Sequence, residues 1–256
     1  MKVAILAGGL GTRLSEETVV KPKPMVELGG RPILWHIMKI YASFGYNEFV
    51  VALGYKGEII KDYFLNYHLR SRSLTVQLRT GGVTTHSMDG EDWTVHLLDT
   101  GAETNTGGRV KRISEFIGDE PFMLTYGDGV SNVNIPSLLE FHKQHGKLVT
   151  MTAVRPPARF GQMVIEKDLV TQFKEKPQLG EGWINGGFFV IQPEAQKYIL
   201  SDQTAWEFES LEHIAADGQL AAYQHNDFWQ CMDTLRDVHN LEKLWQEGNA
   251  PWKLWS

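Results

Sequence analysis

Uninterrupted apolar runs alternate with amphipathic stretches along the first part of the chain. Residues 3–6 and 48–53 form short runs that are typical of buried strands in a parallel sheet. Residues 32–43 and 56–67 instead place apolar side chains at the spacing of one helix face. Because strand and helix patterns alternate, the sequence predicts an α/β fold with a doubly wound, mostly parallel sheet.

The same patterns predict the remaining elements. Further strands are predicted at 74–78, 94–98, 122–125 and 148–154, and further helices at 109–117, 135–145 and 235–245. Residues 80–92 are polar and glycine-rich, which predicts an exposed loop. In the second half, short strands joined by polar turns predict a mixed or antiparallel extension at 163–166, 170–174 and 183–191.

Composition narrows the class of protein. The chain has 256 residues, 42% of them hydrophobic, and no linker or repeat is evident, so we expect one domain over residues 1–256. A net charge of −6 without a basic run argues against a nucleic-acid or anionic membrane partner. Cys231 is the only cysteine, which favours a reducing compartment, and no apolar stretch approaches the ~20 residues of a membrane span. We therefore expect a cytoplasmic protein.

The first predicted strand leads directly into a glycine-rich loop. Gly8, Gly9 and Gly11 allow a sharp turn in which successive backbone N–H groups can face an anion. Arg13 and Lys23 add two positive charges after the same strand. The loop is therefore suited to a polyphosphate, although the glycines alone are equally compatible with an ordinary turn. Their spacing fits neither a Walker A loop nor the dinucleotide fingerprint.

Two aspartates stand where predicted elements begin or end. Asp128 lies between Gly127 and Gly129 after an apolar strand, at the edge where α/β sheets bind ligands. The alternative for Asp128 is a tight Asp-Gly turn. Asp233 precedes the last predicted helix, where it is either a functional carboxylate or a plain N-cap. The Gly-Asp-Gly sequence argues against retaining glycosyltransferases, which often carry Asp-x-Asp at this place.

Three other features carry simpler expectations. His142 and His145 lie three residues apart on one predicted helix, and we expect a surface pair rather than a metal site. Cys231 has no evident base partner, so we expect it to pack rather than to act as a nucleophile. The tail is rich in tryptophan and is expected to dock on the body of the chain or to form a subunit contact through Trp245, Trp252 and Trp255.

A family resemblance is carried by two adjacent motifs, Leu6-Ala7-Gly8-Gly9-Leu10-Gly11-Thr12-Arg13 and Lys21-Pro22-Lys23-Pro24-Met25. Together they resemble the signature of the sugar-1-phosphate nucleotidyltransferases, and the resemblance extends along nearly the whole chain. It is closest to the cytidylyltransferase branch, because Ser15-Glu16-Glu17-Thr18 stands where many members have proline, leucine and threonine. The family implies a Rossmann-like, mostly parallel sheet flanked by helices. It also implies a nucleotide-binding core over 1–150 and a smaller β-rich sugar-binding portion over 151–256.

The resemblance implies a reaction. A cytidylyl group would pass from CTP to α-D-glucose 1-phosphate, giving CDP-glucose and pyrophosphate. The substrates would be CTP and glucose 1-phosphate, the cofactor would be Mg²⁺, and the protein would be a homo-oligomer. Two alternatives stay open, namely the same chemistry with UTP or dTTP, and a non-catalytic regulatory subunit that binds NDP-sugars.

The resemblance also implies roles for individual residues. Arg13 and Lys23 would be catalytic and would stabilise charge on the phosphates. Asp128 and Asp233 would hold the metal, and Arg109 would donate to N3 and O2 of cytosine and so favour CTP over UTP. The nucleotide would be bound by Leu6, Ala7, Gly8, Gly9, Leu10, Gly11, Thr12, Arg13, Lys23, Thr104, Gly107 and Arg109. The sugar phosphate would be bound by Tyr126, Glu175, Lys176, Asn185, Gly186 and Gly187.

Overall fold

A seven-stranded sheet forms the centre of the computed structural model, which describes residues 1–9, 11, 14, 18, 20–86, 90–156, 162–166, 169–174 and 182–255. The strands are β1 (Val3–Leu6), β2 (Glu27–Leu28), β3 (Arg31–Pro32), β4 (Glu48–Leu53), β5 (Leu74–Gln77), β6 (Gly82–Thr85), β7 (Thr94–Asp99), β8 (Phe122–Tyr126), β9 (Gly129–Ser131), β10 (Val149–Val154), β11 (Gln162–Glu166), β12 (Leu169–Lys174), β13 (Ile184–Ile191), β14 (Leu220–His225) and β15 (Trp229–Cys231). The central sheet has the order β14-β10-β13-β8-β1-β4-β7. Only β13 runs antiparallel to its neighbours in this sheet, so the predicted mostly parallel sheet is confirmed.

Helices cover both faces of this sheet. They are α1 (Ile33–Ala42), α2 (Gly57–Leu65), α3 (Tyr67–Arg70), α4 (Thr106–Ile117), α5 (Ile135–His145), α6 (Leu211–Ala216) and α7 (Leu235–Gln246). Successive residues of β1 pack into different hydrophobic clusters, since Val3 lies in the cluster that includes α1 and Ala4 lies in the cluster that includes α4. Burial on two faces explains why β1 is apolar at every position.

The chain reverses its direction of travel across the sheet at β1. From β1 it moves outward through β4 to β7, and then returns to place β8 on the other side of β1. Such a reversal leaves a crevice at the carboxyl ends of the two strands, where open α/β sheets bind ligands. The glycine-rich loop follows β1 and Asp128 follows β8, so the topology brings these two predicted features to the same crevice.

The structure differs from the predicted elements at several places. The predicted loop at 80–92 contains β6, which pairs with β5 in an exposed hairpin. The predicted helix at 56–67 divides at Asn66 into α2 and α3. Residues 193–225, for which no element is predicted, contain a 3₁₀ segment, a π-helical segment at Trp206–Ser210, α6 and the edge strand β14.

The histidines of α5 do not form a surface pair. His142 is buried, and its ring and that of His145 both lie 2.7 Å from the hydroxyl of Thr150. The side-chain amide of Gln192 donates to Nε2 of His142. The expectation of exposure was wrong because β10 packs beside this helix face and offers a hydroxyl to both rings. No cluster of three or more metal-ligating side chains occurs among the described residues.

The tail tryptophans dock on the body of the chain, which is one of the two predicted arrangements. Trp252 is fully buried and its Nε1 donates to Nδ1 of His36 at 3.4 Å. The rings of Trp245 and Trp255 pack within 6.4 Å of one another and within 6.2 Å of the His36 ring. None of the helices in the described ranges is long and apolar enough to cross a membrane.

Candidate active site

The crevice between β1 and β8 opens into a cleft with a volume of about 540 Å³. Six parts of the chain form its walls: the loop after β1, the turn that carries Lys23, the segment before and within the start of α4, the loop after β8, the segment 203–207, and the residue before the cap of α7. The residues around it are Leu6, Ala7, Gly8, Gly9, Gly11, Lys23, Pro24, Ala102, Glu103, Thr104, Asn105, Thr106, Arg109, Tyr126, Gly127, Asp128, Gln203, Glu207 and Asp233.

The glycines after β1 line the cleft as predicted from their position. A Cβ at Gly8 would lie 2.4 Å from Nη1 of Arg109, so this position admits no side chain without moving Arg109. Gly11 has a φ of +63°, in the left-handed region that favours glycine. A Cβ at Gly9 would meet no atom of the described residues within 4 Å, so these residues do not require glycine there. Leu10, Thr12 and Arg13 lie outside the described residues.

Lys23, Asp128 and Asp233 converge on one point of the cleft. Nζ of Lys23 lies 2.6 Å from Oδ2 of Asp128 and 2.5 Å from Oδ1 of Asp233. Burial lowers the pKa of Lys23, but the attraction of the two aspartates outweighs burial and the net shift is upward. One ammonium and two carboxylates leave the group with one net negative charge, which suits an additional cation.

The short β9–β15 ladder and the start of α7 explain how these aspartates meet. Cys231 pairs with Gly129, and the backbone N–H of Met232 donates to the carbonyl of Asp128 at 2.8 Å. Thr234 caps α7 and forms a capping box with Asp237. The N-cap role considered for Asp233 therefore belongs to Thr234, and the Asp233 carboxylate is directed to Lys23.

Arg109 joins three loops of the cleft through its terminal nitrogens. Nη1 donates to the carbonyl of Leu53 at 2.8 Å and to the hydroxyl of Thr100 at 2.6 Å. Nη2 donates to the carbonyls of Gly8 and Ala102 at 3.2 and 3.3 Å. The side chain is buried, and burial lowers its pKa, with a further contribution from Arg112.

These contacts change the interpretation of Arg109. All four hydrogens on its terminal nitrogens are used within the protein, so none of them is available to N3 or O2 of a base in this arrangement. In the structure, Arg109 holds the glycine-rich loop against β4 and against the loop that precedes α4. Direct base recognition by Arg109 stays a prediction, and Nε–H is the donor that these four hydrogen bonds do not use.

A wall that the sequence did not predict is formed by residues 201–207 against the start of α4. The N–H of Gly107 donates to the carbonyl of Thr204 at 3.0 Å, and a Cβ at Gly107 would lie 2.6 Å from that oxygen. Gly107 therefore allows the backbone of α4 to lie close to that of Thr204. It does not line the cleft, whereas Thr104 does. This approach brings Gln203 and Glu207 into the cleft, and no periodic pattern in the sequence marks either residue.

Of the residues predicted to bind the sugar phosphate, some line the cleft and others lie behind its wall. Tyr126 lines the cleft, and its hydroxyl accepts a hydrogen bond from Nδ2 of Asn185 at 3.0 Å. Gly187 has a φ of +81°, and a Cβ there would lie 2.5 Å from the Tyr126 ring. Asn185, Gly186 and Gly187 lie behind Tyr126 and do not line the cleft. Glu175 and Lys176 lie outside the described residues.

Comparisons with known proteins agree with this geometry. A family model described as "Nucleotidyl transferase" matches residues 2–250. The chain is 52% identical over 256 residues to proteins named glucose-1-phosphate cytidylyltransferase from Salmonella typhi and from Salmonella typhimurium, with 100% of each chain covered. Among solved structures, HddC from Yersinia pseudotuberculosis has a TM-score of 0.67 at 22% identity, covering 95% of this chain and 99% of that one. The structural likeness supports the fold alone.

Proposed function

The chain belongs to the nucleotidyl transferase family, and we propose that it transfers a cytidylyl group from CTP to α-D-glucose 1-phosphate, giving CDP-glucose and pyrophosphate. The observation that carries this proposal is the full-length similarity to the two Salmonella proteins of that activity. The cleft at the β1–β8 crevice supports it, because glycine backbone, one lysine and two carboxylates meet there.

The chemistry requires no side-chain nucleophile. A phosphate oxygen of glucose 1-phosphate forms the new bond to the α-phosphorus of CTP. The bond from that phosphorus to the oxygen it shares with the β-phosphate breaks, and pyrophosphate leaves with the bonding electrons. Burial raises the pKa of Cys231, the only cysteine, to about 12, so its thiol stays protonated and is unsuited to attack. Catalysis then depends on positioning and on stabilising charge.

We assign the positive charge in this reaction to Lys23 and Arg13. Lys23 remains an ammonium in the cleft and is placed to stabilise negative charge on the phosphates. Gly8, Gly9 and Gly11 let the polyphosphate approach the backbone. Arg13 keeps the role that the family resemblance implies, as a stabiliser of the leaving pyrophosphate.

We further propose that Asp128 and Asp233 hold Mg²⁺. Each carboxylate places an oxygen within 2.6 Å of Nζ of Lys23, so the two converge on one cation, and Mg²⁺ would take the place of that ammonium. Carboxylate oxygens are suitable ligands for a hard ion that also binds phosphate oxygens. Bound there, Mg²⁺ would neutralise charge on the reacting phosphates.

The remaining expectations also stand as proposals. Tyr126 borders the sugar phosphate, with Asn185 behind it, while Glu175 and Lys176 bind the hexose and its phosphate as the family resemblance implies. The protein acts as a cytoplasmic homo-oligomer, a state that size-exclusion chromatography with light scattering would measure.

Pyrophosphate release tests the proposed function directly. Purified protein is incubated with glucose 1-phosphate, Mg²⁺ and either CTP, UTP or dTTP, and the product is identified by mass spectrometry. The proposal expects CDP-glucose and the highest kcat/KM with CTP. A preference for UTP or dTTP would retain the nucleotidyltransferase and change its nucleotide, whereas the lack of any NDP-sugar would favour a non-catalytic subunit.

A further inference from the structure

Glu207 is one of two glutamates of the cleft that the proposed reaction does not yet use, and unlike the exposed Glu103 it is half-buried. It lies in the π-helical turn Trp206–Ser210, a form of helix that is rare and frequent at functional sites. Its Oε2 accepts a hydrogen bond from the hydroxyl of Thr106 at 2.6 Å, and that hydroxyl in turn accepts from the N–H of Trp206 at 2.9 Å. These two bonds fix the carboxylate while it remains half-buried in the cleft wall.

Glu207 also acts on Tyr126. Burial raises the pKa of the Tyr126 phenol, and the charge and hydrogen bond of Glu207 raise it further. The same phenol accepts from Asn185, and Glu207 accepts from Thr106, so two hydrogen-bonded pairs lie in the wall of the cleft. Within the described part of the chain, Glu207 forms no ion pair and no hydrogen bond to the glycine-rich loop.

The chemistry of this carboxylate restricts its ligand. An ionised carboxylate only accepts hydrogen bonds, and its negative charge repels phosphate groups. The phosphates have their own partner in Lys23, whose Nζ lies 2.6 Å from Oδ2 of Asp128. A ligand group that suits Glu207 is therefore an uncharged donor, and in this reaction the donors of that kind are the hydroxyls of the two sugars and the amino group of cytosine.

We propose that Glu207 accepts a hydrogen bond from a hydroxyl of the hexose and so selects the sugar 1-phosphate. This inference rests on the proposed function, because the hexose is the acceptor in that reaction. The hexose is favoured over ribose and base because Glu207 lines the cleft together with Tyr126, and Tyr126 is hydrogen-bonded to Asn185 of β13, on the side of the cleft away from the glycine-rich loop. The glycine-rich loop is instead held by Arg109.

The test compares E207Q with wild type on glucose 1-phosphate and its 2-, 3-, 4- and 6-deoxy analogues. Glutamine preserves the shape and can still accept from Thr106, but it removes the charge. We expect kcat/KM for glucose 1-phosphate to fall about 10- to 100-fold, the range for a hydrogen bond to a charged group. For the one analogue that lacks the contacted hydroxyl, E207Q and wild type should be equal within twofold, and KM for CTP should not change.

A matched control is Glu212→Gln, which alters an exposed glutamate in α6, outside the cleft. This variant should behave as wild type on every analogue. An equal loss with all four deoxy sugars would assign Glu207 a structural role. If E207Q and wild type have equal kcat/KM with 2′-deoxy- or 3′-deoxy-CTP, Glu207 contacts the ribose and not the hexose. Either result would overturn the proposal.

Binding measurements separate this inference from the proposed function. Isothermal titration calorimetry should show that E207Q weakens binding of CDP-glucose about 10-fold or more and leaves binding of CDP unchanged. If wild type prefers another nucleotide, the same comparison is made with that nucleotide and its glucose conjugate, so the role of Glu207 is still measured. Equal weakening of CDP and CDP-glucose would contradict hexose recognition even in an active enzyme.

Discussion

Gly8 and Gly9 are adjacent, yet the structure assigns them different constraints. A Cβ at Gly8 would lie within 2.5 Å of two Arg109 atoms, whereas a Cβ at Gly9 would meet no atom of the described residues within 4 Å. We expect Gly8→Ala to lower the melting temperature and kcat/KM together, because Arg109 must move and release the loops it joins. Gly9→Ala is the control and should leave the melting temperature unchanged. Differential scanning fluorimetry with steady-state kinetics would decide, and equal melting temperatures for both variants would refute the argument.

Lys23 has a structural role as well as the proposed catalytic one. It separates two carboxylates whose side chains are 30% and 16% exposed. We expect Lys23→Met to abolish most turnover and to destabilise the fold by roughly 1–3 kcal/mol, less than for a fully buried pair. Chemical denaturation would measure the free energy of unfolding.

A second substitution tests the cause of that loss. Lys23→Met/Asp233→Asn removes one of the opposed charges, so it should be more stable than Lys23→Met alone although it remains inactive. Simple addition of the two single effects would show that the carboxylates do not repel one another in the variant.

The sequence predicted Lys23 from its motif and Asp128 from its place at a strand end, and the structure brings both to the cleft. The sequence did not locate Glu207, which reaches the cleft only through the close contact between Thr204 and Gly107. It assigned Arg109 to the base because the position lies at a helix start, but whether an arginine faces inward or outward there depends on tertiary partners such as Leu53. Local pattern carries no signal for either contact.

At the scale of elements, the contact between α4 and the segment 201–207 leads us to predict a mutational effect opposite to the one that helix propensity alone would give. Alanine normally favours a helix over glycine by about 1 kcal/mol. At Gly107, however, a Cβ would lie 2.6 Å from the carbonyl oxygen of Thr204, which is backbone and cannot rotate away. We therefore expect Gly107→Ala to lower the melting temperature and, by displacing Glu207, to raise KM for glucose 1-phosphate more than KM for CTP. Lys111→Ala in the same helix is the control. A higher melting temperature for Gly107→Ala would show that the segment 201–207 can move away from the added methyl group.

Element prediction succeeded where one face or two faces of an element are buried against the sheet. The helix at Ile135–His145 was predicted with its observed bounds, and β1 and β4 likewise. Of the β5–β6 hairpin, β5 was predicted at 74–78, but β6 was missed because it is largely exposed and carries glycine and threonine rather than a buried apolar run. The strand β14 was missed altogether because its residues are mostly only partly buried at the sheet edge.

At the scale of the whole molecule, the order of strands explains why distant residues share one cleft. Lys23 and Asp233 are 210 positions apart in the sequence. The reversal at β1 and the β9–β15 ladder nevertheless place Nζ of Lys23 2.5 Å from Oδ1 of Asp233. The sequence predicted the alternation of strands and helices but not the neighbours of each strand, because strand order depends on packing of the whole sheet. Strands from both halves of the chain lie in that sheet, with β10, β13 and β14 beyond β8.

Two buried histidines link the stability of this assembled fold to pH. Nε2 of His36 lies 2.8 Å from the carbonyl of Leu28 and its Nδ1 accepts from Trp252, so the neutral ring satisfies both partners. His142 accepts from Gln192 at Nε2 and faces the Thr150 hydroxyl with Nδ1. Burial lowers the pKa of each ring to about 4, with His145 adding to the shift of His142 and Arg31 to that of His36.

These depressed pKa values determine the direction of the pH dependence. In the unfolded chain histidine takes up a proton near pH 6.5, whereas these folded rings resist it down to about pH 4. The unfolded state therefore binds more protons between pH 6.5 and 4, so the free energy of unfolding should fall as the pH is lowered through that window. His142→Gln should reduce this slope by up to ~1.4 kcal/mol per pH unit in urea titrations. His213→Gln, at an exposed histidine, should retain it, and an unchanged slope in His142→Gln would show that His142 does not contribute.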